Sequence, residues 1–481
     1  MSSKAPSSSK VLDPRRISLR TILMFAAGAL PLSGVGTAMS ISVQPYFAQD
    51  LGVPLVSIAL AFFWVRIIDM GVDPVLAILM DRTKTPVGRY RAWMIAGAPI
   101  LMLAVWQLFM APKGIGVGYI IVWYLTFALA SSMVGLSRAA WTANLVTRYD
   151  QRARFYGYIG FISVIGALIV LGTPVVSEKF VKHANNVHLM GWTVLALIPV
   201  ATLITALVRE PINASAAGAA HPKFALRDYW AIATKPEVLR LFFSQFCLTL
   251  GPGWMANLYL FFFTNARLFT QGQAYTLLII YILAGTFGAP AIGYIGGRFG
   301  KHRTLIAATL CYSLGLCTVV LAPKANLLVG IPIMIWCGFM ANGFDLMTGA
   351  MMADVGDQVR LEQGKERMAL LYAVTGLAAK LAAAGAVIIA YPLLAAIGYQ
   401  PTLGSHNTQA ALDGLTVVFI AGPIFWCVAG GLCFLGWKLD AAKHASIRAE
   451  LEARDALIAQ QGAMDNAVVQ HGVLEPGVVR G

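Results

Sequence analysis

Charge is scarce in this chain. Asp, Glu, Lys and Arg together make up 12% of its residues, about half the usual share of a soluble domain, and the mean hydropathy is +0.70. So few charges cannot build a water-exposed surface, which excludes a soluble globular fold. The sequence also lacks a phosphate-cradling Gly-Lys-Ser/Thr loop and an HExxH zinc pair, which argues against an ATP-driven machine or a zinc hydrolase. "GIGVGY" (Gly114 to Tyr119) is a lone glycine-rich turn with no strand before it. The six cysteines, Cys247, Cys311, Cys317, Cys337, Cys427 and Cys433, lie inside apolar segments without metal-ligand spacing. They imply neither a disulfide framework nor a metal centre, and no cofactor is expected.

What the chain has in abundance is apolar runs long enough to cross a bilayer, about 20 helical residues each. They predict an all-α membrane protein with twelve spans, near 18–47, 53–80, 92–111, 116–146, 153–176, 189–208, 237–264, 272–297, 303–322, 326–353, 367–397 and 414–437. The polar start, Met1 to Arg16, precedes a long helix without a convincing cleavage site, so it reads as the lead-in to a retained first span rather than a signal peptide. The net charge of +14 comes from basic residues grouped in alternate loops, which reports topology and not nucleic-acid binding. The positive-inside rule puts both termini in the cytoplasm of a plasma (inner) membrane.

A repeat divides the chain. "PVLAILMDR" (Pro74 to Arg82) and "PAIGYIGGR" (Pro290 to Arg298) stand at equivalent places after the second and eighth spans. They predict two parallel six-helix bundles, 18–210 and 237–438, related by an axis along the membrane normal. The segment 211–236, with Pro211, Pro222 and a small-residue run, reads as a cytoplasmic linker between them, and 1–17 as a cytoplasmic N-terminus. Asn213 to Ser215 matches a glycosylation acceptor but falls in that linker, so it carries no weight. The tail 439–481 opens as a solvated cytoplasmic helix, and its last twenty residues read as disordered. "LGPGW" (Leu250 to Trp254) suggests a flexible or broken seventh helix near the cavity, which fits a gating role.

Several charges lie where a bilayer penalises them. An aspartate at a helix centre costs roughly 2.5–3.5 kcal/mol on insertion scales, so each needs a partner, an aqueous cavity or a neutral form. Arg66, Asp69 and Asp73 are spaced i, i+3, i+7 and share one helix face, where they can pair. Asp69, Arg138, Asp345 and Lys380 each fall roughly 15–20 Å from one end of their helices, near the midplane. Three cations opposing three anions suit either static helix-gluing pairs or a pathway. The pathway is the stronger reading, because intramembrane ionisable residues mostly mark one and transporters bind near the midplane.

"DRTKTPVGRYR" (Asp81 to Arg91) resembles the loop signature of the major facilitator superfamily, which implies a gating role for Asp81, Arg82 and Arg89, with Asp354 and Asp357 in the other half. With "RIIDMGVDP" (Arg66 to Pro74), "WTANLVTRYDQRAR" (Trp141 to Arg154) and "ADVGDQVRLEQGKERMALLYAVTGLAAK" (Ala353 to Lys380), residues 20–440 resemble the glycoside-pentoside-hexuronide:cation symporters, the group containing melibiose permease. The resemblance implies a major facilitator fold, alternating access, and symport of a carbohydrate-like solute driven by H+, Na+ or Li+. It makes Asp69 and Asp73 the cation-binding pair, with Arg66 preceding them and Lys380 facing them, and Trp141 a sugar-stacking ring.

Departures from that pattern qualify the expectation. Val72 and Val134 stand where the permease offers oxygen ligands, and a hard cation needs several of these, so H+ is expected over Na+. Ser33 and Ser137 replace galactoside-binding carboxylates, and Ile162 replaces an arginine. Arg138 and Asp345 appear instead. Arg138 is expected to pair with Asp345 across the halves, with an acidic substrate as the other option. Asn257, Trp254 and Asn342, with Gln44, Gln245 and Tyr259, are further candidates to line the cavity. The expected function is monomeric, cation-coupled symport of a sugar, glycoside or uronide. A proton-coupled exporter or carrier of a non-sugar amphiphile is the alternative, followed by a non-transporting receptor or assembly factor; an enzyme is least favoured.

Overall fold

A computed structural model describes residues 17–83, 85–146, 149–180, 185–210, 234–321, 323–364 and 368–472. The linker 211–236 up to residue 233, the glycosylation match and the last nine residues therefore lie outside the described residues. Twelve helices are long and apolar enough to span a membrane. In chain order they are α1 (Leu19–Gln49), α2 (Leu55–Arg82), α3 (Arg89–Phe109), α4 (Val117–Leu145), α5 (Tyr149–Phe180), α6 (Asn186–Ala206), α7 (Pro236–Ala266), α8 (Gln271–Phe299), α9 (Lys301–Leu321), α10 (Leu327–Gln363), α11 (Met368–Ala396) and α12 (Gln409–Leu432). A thirteenth helix, α13 (Ala441–Gly472), follows the last span. The face where α1 begins and α12 ends is termed the terminal face, and the opposite one the distal face.

Helices α1–α6 and helices α7–α12 repeat one packing pattern. In the first, α1 packs on α5, α2 on α4, and α3 on α4 and α6; in the second, α7 packs on α11, α8 on α10, and α9 on α10 and α12. The halves meet along α2 with α11 and α5 with α8, which are themselves equivalent pairs. Small residues set the closest approaches, as in other membrane helix pairs. A Cβ on Gly338 would sit 2.1 Å from the Tyr281 carbonyl oxygen, and one on Gly288 would sit 2.3 Å from that of Phe339.

One expectation about helix shape is corrected. α7 runs unbroken through Pro252 to Leu260, and its irregularity is a π-helical turn further on, at Phe261–Ala266. A proline inside a membrane helix is tolerated where neighbours satisfy the freed backbone groups. α1 is the more irregular helix, interrupted at Ala27 and Gly28 and carrying a π turn at Met39–Val43.

The tail and α10 also depart from expectation. α10 runs to Gln363, ten residues past the predicted end, because its polar extension finds partners rather than water. Lys301 reaches both carboxylate oxygens of Asp354 at 2.7 Å, and α13 supplies His444, 3.1 Å from Asp357. α13 is thus docked rather than fully solvated, with Ile447 and Leu451 buried, and its backbone continues to Gly472 through residues expected to be disordered.

Candidate functional site

Asp69 and Asp73 sit one turn apart at the middle of α2, where an α-helix places i and i+4 on one face. Their partner comes from the other half. Lys380 of α11 donates to Asp73 Oδ2 and reaches Asp69 Oδ2 at 3.5 Å, so one ammonium bridges both carboxylates. Ser132 of α4 donates to Asp69 Oδ1 at 3.0 Å. Asp69 is 3% exposed, and Asp73 Oδ1 is buried without a hydrogen-bond partner.

Arg66 does not join this cluster. Its guanidinium lies 5.9 Å from the Tyr124 ring centroid, and no carboxylate among the described residues comes within ion-pair distance of it. Arg66 thus makes no direct ion pair with Asp69 or Asp73, and the two carboxylates attract it only at longer range. Side chains on a helix lean toward its N-terminus, which carries Arg66 toward the distal face and away from two aspartates that follow it in sequence.

Arg66 instead lines a cavity of about 120 Å³ between the halves, just distal to the ion pair. Ser40 and Gln44 of α1, Tyr124 of α4, Asn257 of α7 and Ala384 of α11 share that lining. Past this cavity the halves are closed against each other. Tyr275 donates to Ser42 at 3.0 Å, Asn186 donates to Gln271 at 2.5 Å, and the Glu178 carboxylate packs over Gly272. Among the described residues, side-chain hydrogen bonds between the halves lie at this distal closure and at Lys380, and none joins α1–α6 to α7–α12 at the terminal face. A polar chamber that touches both halves, sealed distally and with a lysine–dicarboxylate set about one helical turn beyond its lining, is the arrangement of a carrier. A family model described as MFS/sugar transport protein matches residues 24–441.

The chain belongs to this family. It is a multi-pass membrane transporter of the sugar-transport class, not an enzyme. An uncharacterized symporter, YnaJ, of Bacillus subtilis is 21% identical over 92% of this chain and 96% of its own length. A lactose permease of Lactobacillus delbrueckii subsp. bulgaricus is 23% identical over 81% of this chain, which spans 64% of that relative. Among solved structures, the nucleoside transporter NupG superposes with a TM-score of 0.64 at 13% identity, covering 87% of this chain and 99% of that one. At that identity the likeness speaks for the fold alone.

Other predicted cavity residues of this transporter lie elsewhere. Trp141 is 0% exposed, edge-on to Phe25 at 5.1 Å between centroids. An aromatic core around Phe25 and Phe155 covers the ring, so the sugar-stacking expectation is corrected to packing in this conformation. Trp254 is likewise buried, its Nε1 donating to the Val418 carbonyl at 3.0 Å, which ties α7 to α12. Ser137 is buried and donates to Val134. Ser33 is half-buried, and its carbonyl accepts from Thr37. Asn342 packs its amide over Gly285 of α8.

Arg138 and Asp345 do not pair. Asp345 is exposed and accepts from Gln245 at 3.1 Å. Arg138 is 8% exposed, with its guanidinium 5.6 Å from the Phe25 ring centroid. It lies against Gly28 at the interruption of α1, and its Nε has no acceptor. The gap left by a glycine, next to an aromatic face, takes the guanidinium within its own half, where cation–π contact replaces the expected ion pair.

Among the described residues, the gating candidates have these partners. Asp81 accepts from Tyr90 at 2.8 Å, Arg89 lies 5.9 Å from the same ring, and Arg82 is exposed. Asp354 and Asp357 are held by Lys301, His444 and Arg448, not by the opposite half. Sequence reasoning missed Glu210, whose carboxylate accepts from the backbone of Tyr90 and Arg91 and caps α3. It missed Ser132 as well, since one serine among small residues gives no signal of facing Asp69.

Proposed function

We propose that this chain is a proton-coupled sugar symporter that works by alternating access, with Asp69 and Asp73 as the coupling site and Lys380 as their internal counter-cation. The observation that carries the reading is the Lys380 bridge. It crosses from one half to the other about one helical turn beyond the cavity lining, so loading the carboxylates and rearranging the halves are physically linked. A proton on Asp69 or Asp73 weakens the hold on Lys380 and loosens that crossing. Asp73 Oδ1, buried and without a donor, is an open place for a proton.

Proton coupling is favoured over sodium because the side-chain oxygens at the site come from Asp69, Asp73 and Ser132, while Val72 and Val134 offer none. Hard metal cations want more ligands than that. The substrate class follows the family and the name of the lactose permease relative: a sugar, glycoside or uronide. The concentration of basic residues in alternate loops supports a plasma (inner) membrane location with both ends in the cytoplasm. On that orientation the terminal face is cytoplasmic and the closed distal face is external. The halves 18–210 and 237–438 are the moving bodies.

The test is fluorescence-monitored proton movement into proteoliposomes of the purified protein, challenged with neutral glycosides, uronides and free sugars, with and without sodium. A sugar-dependent proton signal that Asp73→Asn abolishes is the expected result. Uptake that requires sodium and moves no protons overturns the coupling assignment. Silence from every pool shifts weight to an exporter or a carrier of a non-sugar amphiphile.

A further inference from the structure

The lining of the cavity above the ion pair holds one buried acceptor that nothing in the protein satisfies. Gln44 is 4% exposed and faces this cavity, yet its Oε1 has no hydrogen-bond partner. Asn257 donates one Nδ2–H to the Gly253 carbonyl at 2.9 Å, which leaves its Oδ1 as an acceptor and its second Nδ2–H as a donor. Ser40 donates its hydroxyl to the Gly36 carbonyl at 3.1 Å, so only its lone pairs remain. Arg66 supplies the charged donors.

The backbone reinforces this reading of Gln44. It immediately follows the π turn Met39–Val43, and such a turn inserts one residue into the helical register. One residue corresponds to about 100° around the axis, so the turn sets which side chain the distal end of α1 presents to the cavity. π turns inside α-helices occur frequently at functional sites.

We infer that Gln44, with Asn257 and Arg66, forms a subsite that reads the hydroxyl groups of one ring of a neutral sugar and disfavours carboxylated sugars. A hydroxyl carries one donor and two lone pairs, so neighbouring hydroxyls can accept from Arg66 while donating to Gln44 and Asn257. A carboxylate pairs with Arg66 but has no proton to donate, so where it replaces a hydroxyl it leaves the buried Gln44 Oε1 unpaired. The inference rests on the sugar-transport reading and decides within it between neutral and acidic substrates. A chamber of about 120 Å³ is below the ~300–1,000 Å³ of typical ligand pockets, which fits one end of a saccharide and not a whole oligosaccharide.

The test uses the full chain in proteoliposomes, with D-xylose, D-glucose and D-galactose, their singly deoxygenated analogues, and D-glucuronate and D-galacturonate as probes. For a transported neutral sugar, the uronate is expected to have a half-saturation concentration at least about 10-fold higher, and one deoxy analogue to lose a similar factor. In Gln44→Leu that deoxy penalty should shrink to within about 3-fold, because the acceptor it reports on is gone. Gln44→Glu keeps an acceptor and adds negative charge, so it should retain the deoxy penalty and disfavour uronates further.

Folding is checked by thermal unfolding in detergent. Gln44→Leu removes an unpaired buried polar group and is expected to melt no lower than the unchanged protein. Uronates taken up as readily as neutral sugars, or a deoxy penalty unchanged in Gln44→Leu, would overturn the subsite and leave sugar transport standing. If the unchanged protein moves none of these probes and none of the neutral glycosides, both the subsite and the substrate class fall.

Discussion

Replacing Lys380 by Met keeps the side chain's length and removes the cation that two carboxylates share. The lysine Nζ lies 3.5 Å from Asp69 Oδ2 and also contacts Asp73, with 37% of its side chain exposed, against 4% for Asp69 and 19% for Asp73. At that separation and an effective dielectric constant near 20, each attraction is about 5 kcal/mol before desolvation is subtracted. Water at the exposed lysine screens it, and about 2 kcal/mol is the expected net loss on truncation, below the 3–5 kcal/mol of a fully buried pair. Asp73→Asn in the same chain removes one of the two stranded charges, so the double variant should regain at least about 1 kcal/mol relative to additivity. Thermal unfolding of the four proteins in detergent at pH 7 measures that coupling. PH-driven sugar uptake should fall at least about 10-fold in Lys380→Met, since 1.4 kcal/mol is a factor of ten. Additivity within about 0.5 kcal/mol, with uptake intact, would refute the idea that Lys380 is the working partner of both aspartates.

Three further outcomes follow from particular contacts. Cross-linking Asn186→Cys to Gln271→Cys at the distal closure, where the native side chains hydrogen-bond at 2.5 Å, should stop sugar exchange until a thiol reductant is added; exchange through the cross-linked protein would contradict alternating access. Trp141→Ala should destabilise by about 3–5 kcal/mol as a core truncation, while Trp141→Phe keeps uptake within a few-fold; a Trp141→Phe protein that is stable but does not bind sugar would restore the stacking role. Asp50 is exposed at the turn after α1, yet the protein packed around it partly desolvates its carboxyl and holds it above its usual range, with His188 and Lys113 opposing. The folded state therefore disfavours the ionised form, and the penalty grows as pH rises from the ordinary carboxylate range, about 4, through the raised folded value. Asp50→Asn should unfold at a higher temperature than the unchanged protein at pH 7, with the advantage shrinking toward pH 4; an advantage independent of pH would rule that cause out.

Much of the architecture is legible in the sequence because it depends on local properties. Twelve apolar runs of sufficient length give twelve spans, since a bilayer leaves a helix few other ways to satisfy its backbone. The α2 and α8 end motifs announce a repeat, and helices α1–α6 and α7–α12 pack in matching patterns. Helix ends were less legible where charge intervened: α10 outlasts its predicted end because Lys301 and α13 supply partners for Asp354 and Asp357.

The sequence by itself determined that Asp69 and Asp73 share a face at the midplane, because helical period and hydropathy suffice for that. Which cation meets them was decided only by the tertiary structure. Lys380 and Arg66 both have the reach, but the direction in which side chains lean on a helix turns Arg66 toward Tyr124 and leaves the carboxylates to a lysine more than 300 residues away in the chain. The same holds for the residues exchanged between core and cavity. Trp141 and Trp254 are buried against partners on other helices, while a single π turn in α1 precedes Gln44 at the chamber wall. Neither a hydrogen bond made one residue further along the helix nor the partner a long side chain selects is encoded in apolar periodicity. Both are settled when the helices pack.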